Sequence, residues 1–183
     1  MNQLSLMQKL KNKIRIDGKN NKILVEGSIK ISKIKIVIKG SNNTLHIKSG
    51  VKINSSFLEI VGDNCSIIIG KNSIIGNGCY LSAKEKDITL SIGDECMLSR
   101  NAKLMTSDGH PILKDGKIIN SAKSILLGTK VWIADDVVIL KGVEIGSNSI
   151  VGIGSLLTKS IPSNSIAAGN PAKVIKENIS WNH

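Results

Sequence analysis

From Ile125 to Leu157 the chain repeats every six residues. Aliphatic side chains fall at Leu127, Ile133, Ile139, Ile145, Val151 and Leu157. Two residues before each stands a smaller or β-branched one: Ile125, Val131, Val137, Val143, Ser149 and Ser155. The residue after each is often tiny, as at Gly128, Ala134, Gly146 and Gly152, with Leu140 and Thr158 as departures. Neither the two-residue alternation of a strand nor the helical turn produces this period. A β-helix does, with one short strand and one corner per hexapeptide. The aliphatic residue points inward and stacks on its equivalent in the next coil, and the small residue after it is expected to let the backbone turn. Three hexapeptides close one coil, so residues 18 apart, such as Ile133 and Val151, are predicted to lie one above the other.

A weaker form of the pattern reaches further back. It is visible at Ile69, Ile75 and Leu81, slips near Lys84–Asp87, and resumes at Ile92, Leu98 and Leu104. Between Ile14 and Ile69 the chain alternates less regularly, with turn signals at Gly40-Ser-Asn-Asn and Gly62-Asp-Asn. This stretch reads as wider, irregular coils, and residues 1–13 as a short helix or loose arm. The whole, 183 residues, reads as one all-β domain. Aromatic residues are only 2% of a chain that is 41% hydrophobic, which suits a narrow interior of stacked Ile, Val and Leu. The two tryptophans, Trp132 and Trp181, stand out against it.

One segment breaks the repeat. Ser107–Ser124 carries polar turns, a proline and two glycines. An insertion in a solenoid maps to a loop on one face, often the binding face. After the last clean repeat, Ile161–Lys176 reads as leaving the coil, and residues 161–183 as the cap that covers an apolar end and its unpaired strand edges.

The net charge of +11 favours an anionic partner. Much of it lies in the N-terminal third, where lysines alternating with isoleucines over Ile29–Lys39 read as the solvated side of strands. No aromatic interleaving accompanies them, which argues against nucleic acid. Cys65, Cys79 and Cys96 are widely spaced and form no CxxC, as in a reduced cytoplasmic protein. Met1–Ile16 lacks the continuous apolar stretch of a signal peptide or membrane span, and membrane association is not indicated.

Three histidines are present. His183 ends the chain, and His46 sits in an alternating strand and reads as structural. His110 lies in the inserted loop between Gly109 and Pro111, and histidine titrates in the range a general base needs.

The chain resembles the bacterial hexapeptide-repeat acyltransferases, a left-handed parallel β-helix family, and within it the O-acetyltransferases of capsule, O-antigen and polysialic acid sugars. The segments that carry the resemblance are Thr106-Ser-Asp-Gly-His-Pro-Ile, Gly128-Thr-Lys-Val-Trp-Ile-Ala, Ile139-Leu-Lys-Gly-Val-Glu-Ile-Gly, Gly154-Ser-Leu-Leu-Thr-Lys and Ala168-Gly-Asn-Pro-Ala-Lys. The resemblance implies His110 as catalytic base and Trp132 in the acyl site, with Ala134 where the family more often has glycine. It implies acetyl-CoA as co-substrate, without a metal, bound near Trp132, Ala134, Gly152, Ser155, Ala168, Asn170 and Pro171. Lys159 and Lys173 are then candidates for its phosphates, and Asp108 for orienting His110. It further implies a homotrimer with sites between subunits, acting on a sugar or polysaccharide that can itself be anionic.

The reaction so implied is O-acetylation. His110 takes the proton of a sugar hydroxyl as it attacks the thioester carbonyl, and backbone N–H groups or the Trp132 indole meet the oxyanion, or that ring walls the acyl pocket. Three other readings are less well supported. N-acetylation of a nucleotide-linked amino sugar often comes with an added nucleotide-sugar domain, and residues 1–65 show no Gly-rich βαβ signature. A metal hydratase needs three closely spaced histidines. A non-catalytic scaffold favours regular Thr or Ser faces without an inserted loop.

Overall fold

A computed structural model describes residues 12–182. Its elements are strands joined by turns, with no helix among the described residues. Of the expected N-terminal helix or arm, residues 1–11 lie outside the described part, and Lys13 already begins a strand. Three parallel sheets form the faces of a prism, a left-handed β-helix of about seven turns. The first face carries seven strands, from Lys13–Asp17 to Leu156–Leu157; the second carries six, from Lys22–Val25 to Glu144–Ile145. The third runs from Lys30–Ser32 to Ser165–Gly169 and ends on an antiparallel strand, Ala172–Glu177.

The stacking follows the repeat. Ile133 pairs with Val151 and with Leu98, and Leu98 with Ile75, so one inward column runs up the third face. Equivalent columns join Leu81, Leu104, Ile139 and Leu157 on the first face, and Ile69, Ile92, Leu127 and Ile145 on the second. All twelve side chains are buried.

The N-terminal coils are wider. Lys13 pairs with Lys35 and Lys35 with Phe57, 22 residues per coil; Phe57 pairs with Tyr80 and Tyr80 with Lys103, 23 per coil. Only from Leu126, which pairs with Glu144, does the coil shorten to 18. The extra residues lengthen the first face, where Phe57–Asp63 and Tyr80–Lys86 are strands of seven residues. The phase slip at Lys84–Asp87 is the end of such a long strand.

The small residue after each inward aliphatic has a different cause from the one expected. Gly128, Gly146 and Gly152 are not among the positive-φ positions; the corners turn instead at Lys130, Asp136 and Asn148, with φ of 56°, 58° and 59°. What excludes a side chain is the next coil. A Cβ on Gly93 would lie 2.3 Å from the Gly128 carbonyl oxygen, and one on Gly128 would lie 2.7 Å from the Ser147 nitrogen. The positions two before each inward residue also do more than stay small. Ser149 Oγ donates to the Pro162 carbonyl at 2.8 Å and accepts the Ser165 N–H at 3.2 Å. Cys96 Sγ does the same with the Gly128 carbonyl and the Val131 N–H. Corner amides that miss the ladder are satisfied this way, and no buried side-chain polar atom lacks a partner among the described residues.

The tail departs later than expected. Ile161 still bridges Ile145, and Ser165–Gly169 still pairs in parallel with Ile150–Val151. Ile161, Ser165 and Ala167 are inward residues that continue the stack. The reversal comes at Asn170–Pro171, where proline cannot donate to a ladder, and Ala172–Glu177 then covers the edge of Ser165–Gly169.

Candidate active site

The inserted segment leaves the first face after Lys103–Met105 and returns to the second at Ile125. Its tip is a hairpin in which Leu113 pairs with Ile118, turning at Asp115-Gly116 with both φ positive. Its base is fastened by Glu85, at the end of the preceding long strand. One carboxylate oxygen accepts the Ser107 hydroxyl at 2.7 Å, and the other the Ala122 N–H at 3.0 Å. The Lys123 N–H donates to the Thr106 carbonyl at 3.0 Å and closes the neck.

Inside the loop Asn120 is the hub. Its Nδ2 donates to the Asp108 carboxylate at 2.8 Å and to the His110 carbonyl at 2.9 Å, and its Oδ1 accepts the Ile112 N–H at 2.6 Å. Lys141, just beyond the strand Val138–Leu140, donates to Asp108 at 2.6 Å and to the Asn120 carbonyl. These contacts hold the backbone on both sides of His110. The residue itself is exposed, and its imidazole makes no hydrogen bond among the described residues.

Asp108 makes no hydrogen bond to the His110 ring among the described residues. Its carboxylate is spent on Lys141 and Asn120. The hydrogen bond from Lys141, and then that from Asn120, hold this carboxyl below the usual carboxylate range, so the anchor is ionised at neutral pH. Asp108 thereby ties the loop to Lys141 through Asn120.

Trp132 faces outward from the third face, half-buried. Its indole N–H donates to Ser99 Oγ at 3.2 Å, so the donor that the sequence offered to an oxyanion is engaged within the coil. Its ring lies 5.8 Å from that of Trp181, tilted by 44°. Trp181 is 9% exposed and is tied by its indole N–H to the Lys130 carbonyl at 2.9 Å. The C-terminal segment thus folds back along the third face and packs against Trp132. No hydrogen bond or ring contact joins His110 to Trp132 within one chain among the described residues.

The remaining candidates divide. Ala134, Gly152 and Ala168 follow one another up the third face, with the Ala134 N–H bonded to the Val151 carbonyl and the Gly152 N–H to that of Ala167. Ala168 pairs with Lys173 across the terminal hairpin. This ridge has no side chain beyond Cβ, so backbone is open to close approach; a Cβ on Gly152 would itself lie 3.0 Å from that of Ala168. Lys173, Lys159, Asn170 and Pro171 are exposed, and neither lysine has an ion-pair partner among the described residues. Ser155 lies inside the coil. It is 1% exposed, and its hydroxyl donates to the Gly152 carbonyl at 2.6 Å and accepts the Gly169 N–H at 3.1 Å. It braces the ridge from inside.

The cysteines lie in the core. All three are buried free thiols, and burial pushes Cys79 and Cys96 up to about 11 and raises Cys65 as well. His46 is held by Glu26 at 2.7 Å, in keeping with a structural role. Glu85, Asn120, Lys141, Ser99 and Trp181 were not singled out from the sequence as parts of this site. Three of them had a signal: Lys141 within the segment Ile139-Leu-Lys-Gly, Asn120 within the inserted segment, and Trp181 as one of two tryptophans.

No family model matches the chain. Individual proteins do. The crystal structure of the polySia-specific acetyltransferase NeuO superimposes with a TM-score of 0.76 and 33% identity, covering 96% of this chain and 90% of that one. The polysialic acid O-acetyltransferase OatWY gives 0.68 and 28%, covering 93% and 91%. The polysialic acid O-acetyltransferase of Escherichia coli O1:K1 is 40% identical over 117 residues, 63% of this chain but 38% of the relative. The chain spans at most 57% of the first curated relatives it matches. With the prism, the single inserted loop and overall likeness to NeuO, the chain belongs to the left-handed β-helix, hexapeptide-repeat acyltransferases, the family of the polysialic acid O-acetyltransferases.

Proposed function

We propose that the chain transfers the acetyl group of acetyl-CoA to a hydroxyl of a surface-polysaccharide sugar, with His110 as general base. One observation carries this reading: every hydrogen bond around His110 goes to backbone or to its neighbours, and the imidazole is left projecting into solvent. A loop built that tightly around an unpartnered ring suits proton transfer to and from a bound reactant. His110 takes the hydroxyl proton as the sugar oxygen attacks the thioester carbonyl. The carbon–sulfur bond then breaks, and the coenzyme A thiolate leaves with the proton that His110 returns. The products are an O-acetyl sugar and free coenzyme A, with no covalent enzyme intermediate.

The backbone ridge Ala134–Gly152–Ala168 suits a chain-like cofactor laid along it, with Lys159 and Lys173 for its phosphates. Trp132 serves as an apolar wall of the acyl pocket, its N–H being engaged by Ser99. A homotrimer is supported by two features. His110 and Trp132 belong to different parts of the prism without mutual contact, and the loop hairpin exposes Ile112, Leu113, Ile118 and Ile119, each above half. An apolar hairpin of this kind fits a neighbouring subunit, which would bring the His110 of one chain to the ridge of the next. The relatives named for polysialic acid, and the charge of +11, support an acidic acceptor. Reduced thiols support a cytoplasmic setting.

The test is release of free thiol from acetyl-CoA against sialic acid, its polymers, hexoses, N-acetylhexosamines and nucleotide sugars, with His110→Ala alongside. Release should depend on one sugar class and fall about 100-fold or more in the variant. A folded His110→Ala protein with normal turnover would sink the mechanism. Amine-bearing nucleotide sugars as the sole acceptors would replace O- by N-acetylation.

A further inference from the structure

The wide coils carry a feature that the acetyl-transfer chemistry does not use. Phe57 and Tyr80 are the chain's single Phe and single Tyr. They are direct partners on adjacent strands of the first face, next to the inward Leu58 and Leu81, so both rings point out of the prism. Their centroids lie 5.3 Å apart with planes at 28°. The same outward column reads Lys13, Lys35, Phe57, Tyr80, Lys103, one residue per coil. At about 4.8 Å per strand it runs for about 19 Å. Lys35 Nζ sits 4.4 Å from the centre of the Phe57 ring. Beside the column Arg15 and Lys39 add charge, Arg15 being paired with Asp17.

Two depressions flank the Phe57 ring. One, of about 350 Å³, is lined by Lys13, Arg15, Lys35, Lys39, Phe57 and Glu59. The other, of about 310 Å³, is lined by Lys33, Lys35, Ser55, Phe57 and Tyr80. Glu59 is the carboxylate of the patch. It accepts the Tyr80 hydroxyl and pairs with Lys84 at 2.8 Å, which fixes the Tyr80 ring and neutralises Lys84, and it also feels the charge of Lys35, so the column keeps a net positive charge with one carboxylate beside it.

We propose that this column is an acceptor subsite, separate from the catalytic loop, that holds an acidic oligosaccharide. The inference rests on the glycan-acetylation reading and names the acceptor as an oligomer with carboxylate groups. Sugar rings present C–H faces that lie flat on aromatic rings, and the cations above and below take the carboxylates. Nucleic acid fits less well: the two rings lie against each other and admit no base between them, and stacking platforms for bases space their aromatics along the strand. The column also leads to the chemistry. The rung after Tyr80 is Lys103, and that strand ends at Met105, immediately before the loop that carries His110. An oligomer lying on the column therefore extends toward the reacting end.

The experiment compares full-length protein with Phe57→Ala/Tyr80→Ala and Lys13→Ala/Lys35→Ala, each checked for an unchanged thermal midpoint. A short α-linked oligomer of sialic acid, a neutral oligosaccharide of equal length and a single-stranded oligonucleotide are titrated, without acetyl-CoA, by calorimetry. The expected result is binding of the acidic oligomer alone, weakened at least tenfold in each variant and by added salt. In turnover, KM for the oligomer rises while that for the free monosaccharide holds. Equal binding of the oligomer by wild type and the Phe57→Ala/Tyr80→Ala variant overturns the subsite, whatever the transfer assay gives. Equal or tighter binding of the oligonucleotide overturns its assignment to glycans. Loss of transfer with every acceptor but intact, ring-dependent binding overturns the enzymatic reading and leaves the subsite standing.

Discussion

Removing the Glu85 carboxylate should cost the enzyme its loop, not its fold. That carboxylate accepts one hydrogen bond from each end of the insertion, at 2.7 Å from Ser107 and 3.0 Å from Ala122. Hydrogen bonds to a charged acceptor are worth about 1.5–3 kcal/mol each in protected settings, and Glu85 is exposed, so about 1–2 kcal/mol for the pair is the reasonable scale. A loop equilibrium moved by that much shifts about 5- to 30-fold. Glu85 has φ of 84°, but alanine carries the same Cβ, so the backbone cost is common to both proteins and cancels. Glu85→Ala should thus lower kcat/KM for the sugar by about 5- to 30-fold and leave the acetyl-CoA dissociation constant within about twofold, because Glu85 bonds to the ends of the insertion and to none of the ridge residues. Glu85→Gln, which keeps an acceptor for the Ala122 N–H, should recover most of the loss. The assay is thiol release at varied sugar, paired with calorimetric binding of acetyl-CoA. Wild-type kcat/KM in a folded Glu85→Ala protein would refute the idea that this carboxylate holds the loop.

Two further outcomes follow from the coil itself. Burial keeps Cys79 and Cys96 protonated up to about 11, against an ordinary 9.0. A thiol held above its unfolded value contributes stability that is complete below about pH 9 and is lost as pH rises through about 11, on the scale of 1–3 kcal/mol per thiol. Denaturant titrations at pH 8 and 10.5 should show this loss, and Cys79→Ser/Cys96→Ser should show less of it, since Ser73 and Ser149 fill equivalent ladder positions. Gly93→Ala puts a Cβ 2.3 Å from backbone and should cost about 2–3 kcal/mol, a fall of about 4–12 °C in Tm. Gly116→Ala, which meets open space and only a positive φ of 73°, should cost less; the reverse order in calorimetry would discredit the close-approach account.

The inward columns were legible because a narrow interior accepts one class of side chain once per strand, which leaves a period of six. The insertion was legible as the break in that period, and His110 as the one histidine inside it. Its supports were not. Asn120 reaches Asp108 across 12 residues, Lys141 reaches the same carboxylate across 33, and Glu85 reaches Ala122 across 37. No local pattern encodes such pairs, and nearness in sequence gave no pointer from Asp108 to Lys141. Ser155 was legible as the small residue two before Leu157, but its hydrogen bonds to Gly152 and Gly169 appear only once the coils are stacked. Trp181 was visible as a rare aromatic near the chain end, but its fold-back onto Trp132 depends on a hairpin that no repeat foretells.

The sequence by itself determined that the backbone coils, which side chains stack inside and where the coil is interrupted. The tertiary structure decided who meets whom outside. Adjacent coils bring residues to within one strand spacing, about 4.8 Å, whatever their distance along the chain. That distance is 18 residues for Trp132 and Ile150, 23 for Phe57 and Tyr80, and 35 for Lys103 and Val138. Coil length alone sets these partners, and coil length is a property of the register, so the aromatic column and the loop anchors became visible only once the coils were stacked.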